Sequence, residues 1–110
     1  MKSVKTLIFI LILCVDVCSS QSNKDTKSLI NSANAKFKTE NYEDALEDYL
    51  QLVSEDPKNQ NFNYNLGVCY LNSNINKAKA IPYLEILVRQ DNYNPKADFL
   101  LGRAYQYANR

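Results

Sequence analysis

From residue 25 onward, apolar residues recur at steps of three and four, the period of one face of an α-helix. Leu46, Tyr49, Leu50 and Val53 form one such stripe, and Tyr83, Leu84, Leu87 and Val88 form another. Polar and charged residues fill the positions between. No segment alternates strictly between apolar and polar residues with turn dipeptides at its ends, so strands are not expected. The spacing predicts five helices, over 25–38, 42–55, 60–73, 77–90 and 95–108. The punctuation agrees. Asn41 and Asn76 precede the second and fourth helices, and an Asn at the N-cap accepts from the free amides of the first turn. Asp56-Pro57 closes the second helix, because the residue before proline avoids the helical region. Asn94-Pro95 reads as an N-cap followed by proline in the first turn. Pro82 falls inside the fourth predicted helix. There it would remove the bond to Ala78 and kink the axis.

Longer-range order lies over this local period. Ala33, Gly67 and Gly102 are spaced by 34 and 35 residues. Around them the chain reads Leu29-x3-Ala33-x3-Phe37, then Leu66-Gly67-x2-Tyr70, then Leu101-Gly102-x2-Tyr105. A second register follows twelve or thirteen residues behind: Tyr42-x2-Ala45-Leu46-x2-Tyr49-x2-Leu52-Val53-x3-Pro57, recurring as Ala80-Ile81-x2-Leu84-x2-Leu87-Val88. Small residues at Ala33, Gly67 and Gly102, and at Ala45 and Ala80, mark where paired helices cross closely.

This double register resembles the tetratricopeptide repeat (TPR) family, with its W-x2-L-G-x2-Y block, its A-x3-F block and a closing proline. Asn63 stands in the Trp position, and Leu66-Gly67-x2-Tyr70, Ala45-x3-Tyr49 and Pro57 follow the pattern. The resemblance implies an all-α, right-handed superhelix of antiparallel helix pairs, about two and a half repeats long. The repeats cover about 26–59 and 60–94, with a partial third at 95–110. One extra residue near 74–77 and the absent closing proline of the second repeat are departures. The stretches Tyr64–Ser73, Lys79–Glu85 and Leu101–Tyr105 are also similar to a TPR subgroup of exported envelope proteins of the Bacteroidota type. In those proteins the repeats precede a β-propeller segment and a C-terminal OmpA-like domain, and neither follows in these 110 residues.

The amino end carries a different pattern. Lys2 and Lys5 precede nine apolar residues in a row, Leu7–Val15, and small residues follow at Cys18, Ser19 and Ser20. Charge, short apolar core and small cleavage site make a secretory signal peptide over 1–20. The run is well short of the roughly 20 residues a spanning helix needs, so no transmembrane helix is expected in the mature chain, 21–110. A lipidated Cys is a weak match, since Val17 and Leu13, which precede Cys18 and Cys14, are not small. Export is expected to place the protein in the periplasm or in the outer-membrane-associated envelope of a bacterium. Removal of the signal leaves Cys69 as the only thiol, set among apolar neighbours as a small buried hydrophobe.

Composition removes several functions. Net charge is +1, without a basic stripe, so nucleic acid is not a partner. The chain has no His and two Gly, which leaves neither the commonest general base nor a phosphate-cradling loop. No nucleophile–base pair can be named, so no catalytic residue, cofactor or metal is assigned and an enzyme is not expected. The acidic run Glu40, Glu43, Asp44, Glu47 and Asp48 interleaves with apolar positions, as a solvated helix face does. Charge is nevertheless polarised, −4 over 21–57 and +4 over 58–110. Opposite ends of opposite sign favour end-to-end self-association.

The TPR resemblance further implies a protein or peptide partner, held in the concave groove of the first helices of each repeat. The family's groove positions fall on Asn34, Phe37 and Lys38, then Tyr64, Val68, Leu71 and Asn72, then Lys96, Phe99 and Arg103. A TPR subset clamps a C-terminal carboxylate with Lys and Asn. Asn34 matches that Asn, but Ile30 occupies the Lys position, so such a clamp is not expected. A purely structural spacer or oligomerisation module is the competing function. The last helix lacks a second helix of its own repeat, and self-association through Phe99, Leu101 and their neighbours follows as an expectation.

Overall fold

A computed structural model describes residues 25–109. The expected signal peptide at 1–20 lies outside the described residues. The described chain is all helical: α1 over 25–38, α2 Tyr42–Glu55, α3 Gln60–Asn72, α4 Ile81–Val88 and α5 Lys96–Ala108. No strand occurs among the described residues. No helix there is long and apolar enough to cross a membrane.

Side-chain contacts fix the direction of each neighbour. Along α1 and α2, Thr26 Oγ1 donates to Glu55, Ser32 and Lys36 to Asp48, and Phe37 meets Tyr42 edge-on at the opposite end. The start of α1 therefore lies beside the end of α2, and the pair is antiparallel. In α3 and α4, Gln60 reaches Gln90 and Asp91 at one end, and Tyr70 stacks on Tyr83 at the other. α5 returns against α4 with Tyr105 donating to Glu85.

The core runs along the seam of these helices. Ala33, Ala45, Ala80 and Ala97 are fully enclosed, and Tyr49, Leu52, Leu66, Cys69 and Leu84 fill the space between them. The small residues behave unequally. A Cβ placed on Gly67 would lie 2.6 Å from Leu84 Cδ2, so only glycine admits α4 at this distance. A Cβ on Gly102 meets nothing within 4 Å. Gly102 therefore has no helix across it among the described residues, unlike its counterpart one repeat earlier.

The punctuation holds in part. Asn59 Oδ1 accepts from Phe62 N–H at 3.0 Å and Asn76 Oδ1 from Ala78 N–H at 3.0 Å. Asn94 Oδ1 accepts from Lys96 N–H at 3.0 Å, and Pro95 follows it at the start of α5. Asn41 makes no such cap; its Nδ2 donates to Asp44 at 2.7 Å. α1 closes instead with Asn41 N–H bonded to Lys36 O and Glu40 N–H to Phe37 O, and Glu40 takes φ 62°. That is a Schellman closure, in which glycine is the usual left-handed residue.

The expected kink at Pro82 does not occur. Lys77–Ala80 forms a separate 3-10 turn, and α4 begins at Ile81, placing Pro82 in its first turn. A first-turn residue has no intrahelical acceptor for its amide, so proline loses nothing there. The one-residue insertion before Lys77 is absorbed in this turn, where Lys77 Nζ donates to Leu71 O and Ser73 O.

Asn63, in the Trp position of the family pattern, is fully buried. Its Nδ2 donates to Pro57 O at 2.9 Å and Asn59 O at 2.8 Å, tying the α2–α3 loop to the first turn of α3. Its Oδ1 has no partner.

Candidate functional site: the groove of alternate helices

α1, α3 and α5 are the first members of successive pairs, and the predicted groove residues all lie on these three helices. Asn34 and Lys38 are exposed on α1, Asn72 on α3 and Lys96 on α5, while Tyr64, Val68 and Arg103 are half-buried. Three predicted residues depart from that role. Leu71 is 1% exposed and belongs to the core, because it points into the seam beside the 3-10 turn. Phe37 is half-buried and packs edge-on against Tyr42 and Tyr49, with centroids 5.7 and 6.0 Å away, so it supports the groove more than it lines it. Phe99 is 69% exposed, at the border between the groove and the open face over Gly102.

A polar chain links α1, α2 and α3. The buried Tyr49 hydroxyl donates to Asn34 Oδ1 at 2.7 Å and accepts from Asn65 Nδ2 at 3.1 Å. One phenol thus orients two asparagines from neighbouring helices. With its oxygen engaged by Tyr49, Asn34 keeps its Nδ2 hydrogens for an outside acceptor. The sequence reading placed Asn34 here but took Tyr49 as packing only and passed over Asn65. The signal was available. Val68 is one repeat after Asn34, and Asn65 stands one turn before Val68, on the same helix face.

Thr26, Ile30, Leu52, Glu55, Asp56, Asn59 and Phe62 line an open cleft of about 600 Å³. Ile30, Leu52 and Phe62 supply apolar wall, and Glu55 and Asp56 supply carboxylates that accept from Thr26 and Asn59. Ile30, at the position where a carboxylate clamp has lysine, is thus wall to a cleft that suits an apolar side chain.

Residues 30–95 match the family model for the tetratricopeptide repeat. The chain belongs to the tetratricopeptide repeat family. TPRs generally mediate protein–protein interaction and are typically non-catalytic scaffolds. No curated protein and no solved structure matches this TPR chain.

The groups of this TPR stack whose titration shifts all shift upward. Burial pushes the Cys69 thiol up to about 12. Burial also raises Tyr42, Tyr49 and Tyr70, and the bond to Asp48 raises Lys36. The folded chain therefore holds protons that the unfolded chain releases from about pH 9 upward. Raised folded values give stability that is complete at lower pH and lost as pH rises. Unfolding free energy should fall between about pH 9 and 11, with the Cys69 thiol alone contributing roughly 3 kcal/mol. Urea titrations with reductant check this, and Cys69→Ala should remove the earliest part of the fall.

Proposed function

We propose that this protein is an exported, non-enzymatic scaffold of a bacterial cell envelope. It holds a protein or peptide partner in the groove of α1, α3 and α5, within a larger assembly or a longer chain. The observation that carries the reading is the Asn34–Tyr49–Asn65 chain. A buried hydroxyl spent on orienting two groove asparagines is preorganisation for an outside acceptor, such as a peptide carbonyl or carboxylate. Lys38 on α1 and Lys96 and Arg103 on α5 add positive charge to these helices. The cleft at Ile30 and Phe62 suits an apolar anchor in the same peptide. Export rests on the Lys2–Ser20 pattern of charge, apolar core and small residues.

Affinity purification from envelope extracts tests the groove. Asn34→Ala, Tyr64→Ala and Arg103→Ala are each expected to lower recovery of the bound partners about tenfold, a loss of about 1.4 kcal/mol. Recovery of the same partners at the same level by all three variants would remove the groove reading. Fractionation with antibody against the chain tests export, and a cytoplasmic pool alone would overturn it.

A second reading, an oligomerisation module, is favoured by the bare face of α5. Phe99 and Tyr105 are 69% and 42% exposed there, beside an uncovered Gly102.

A further inference from the structure

The start of α1, the end of α2 and the start of α3 meet around the cleft of about 600 Å³. Ordinary ligand sites measure roughly 300–1,000 Å³. Its lining divides by chemistry. Leu52 is fully buried, Ile30 and Phe62 are half-buried, and Glu55 and Asp56 are exposed. The lining thus holds apolar wall and two carboxylates, with no cation among its residues. Thr26 Oγ1 donates to Glu55 Oε2 and Asn59 Nδ2 to Asp56 Oδ2, each at 3.1 Å. A carboxylate accepts about four bonds, so both keep acceptor capacity for an outside donor. The ion pairs among the described residues lie elsewhere, at Lys36–Asp48 and Arg89–Glu85.

We propose that this cleft takes a basic segment of the partner: an apolar side chain against Ile30, Leu52 and Phe62, with a Lys or Arg beside it at Glu55 and Asp56. The proposal rests on the groove reading and names the chemistry of what the groove holds. Spacing ties the two sites together. Ile30, Leu52 and Phe62 stand four, three and three residues from Asn34, Tyr49 and Asn65, about one turn along each helix. One turn is ~5.4 Å, and an extended chain advances ~3.3–3.6 Å per residue. A peptide bonded to the asparagines therefore places a side chain in the cleft about two residues further on. Lys and Arg suit this wall twice over, since their stems lie along apolar surface while the charged head stays at the edge. An acidic segment would meet Glu55 and Asp56 as like charges. The half of the chain that carries them, 21–57, has net charge −4.

Random peptides displayed on phage test the chemistry. They are selected on the full chain, expressed with its own amino-terminal segment, and the enriched sequences are synthesised and titrated by fluorescence anisotropy. Enriched peptides are expected to carry Leu, Ile or Phe within two residues of Lys or Arg. Replacing both carboxylates, Glu55→Gln with Asp56→Asn, should weaken them about 5-fold and flatten the dependence on salt. Reversing both, Glu55→Lys with Asp56→Lys, should turn the selection toward Asp and Glu. Both positions are exposed, so helical circular dichroism should be unchanged in these variants. Ile30→Ala should weaken the same peptides through the apolar contact, with no change in salt dependence.

If the enriched peptides lose affinity with Asn34→Ala but not with the neutral pair at 55 and 56, the groove holds a partner whose basic residue does not sit here. The proposal then falls and the groove reading stands. If neither change matters, or no peptide is enriched, both fall. Enrichment only on a Lys24→Ala variant would make the chain's own amino-terminal segment the occupant, and would also overturn the proposal.

Discussion

Leu84→Ala is expected to lower the unfolding free energy by about 2–5 kcal/mol, a large part of the ~5–15 kcal/mol available to a small domain. Leu84 is fully buried, and its Cγ and Cδ2 lie 2.8 and 2.6 Å from where a Cβ on Gly67 would be. The two residues share one space between α3 and α4. Gly67→Ala alone gains about 1 kcal/mol of helix propensity. It loses more to overpacking, because an enclosed leucine cannot swing away, and the net change should be a loss of about 1–2 kcal/mol. In the double variant the added methyl occupies part of the space that Leu84 vacates. The two losses should then fall short of their sum by about 1 kcal/mol, the mark of residues in direct contact. Urea unfolding at neutral pH of the four proteins measures this. Strict additivity would mean that Gly67 does not set the α3–α4 distance. Gly102→Ala is the counterpart: with no neighbour to meet, it should stabilise the monomer by about 0.5–1 kcal/mol.

The same pair of glycines marks what the sequence reveals and what it leaves open. The 34-residue register and the three-and-four spacing located every helix to within a residue or two, except at Lys77–Gln90. There the register counted one helix, whereas the backbone makes a 3-10 turn and then a helix. Pattern alone does not tell a kink from a late start, because proline satisfies both and the choice depends on how an insertion is absorbed. Exposure is legible where a side chain is long and polar, as at Lys38 and Lys96. It failed at Leu71, since an apolar residue on the groove register can turn a few tens of degrees into the seam. The Tyr49 hydroxyl was misread for a related reason. Its ring is core, and only the coordinates place its oxygen within 2.7 and 3.1 Å of two asparagines from different repeats. Sequence period assigns whole residues to faces, whereas a binding site is made of atoms, and amphipathic side chains divide between the two.

Asn63→Asp, a change of one amide to a carboxyl, is expected to cost about 3–5 kcal/mol at neutral pH and to leave the chain largely unfolded. Asn63 is fully buried, and its Nδ2 donates to Pro57 O and Asn59 O at 2.9 and 2.8 Å. An ionised carboxylate would set negative oxygen against both carbonyls, with no cation or donor to offset it. Its Oδ1 position already lacks a partner in the wild type. The variant avoids this by staying protonated when folded, because the neutral acid can donate to one of the two carbonyls. Its folded pKa is therefore raised above the ordinary carboxylate value of about 3.9. A raised folded value contributes stability below the unfolded pKa and withdraws it as pH rises. The variant should then gain stability relative to the wild type on acidification from pH 7 to about pH 4.5. Asn63→Leu separates shape from charge: it loses the two bonds at about 1–3 kcal/mol with no dependence on pH in this range. Urea midpoints of the three proteins at the two pH values decide the matter. An Asn63→Asp deficit that stays the same at both would mean that the α2–α3 loop relaxes and lets water reach the carboxylate, and that Asn63 does not hold that loop to α3.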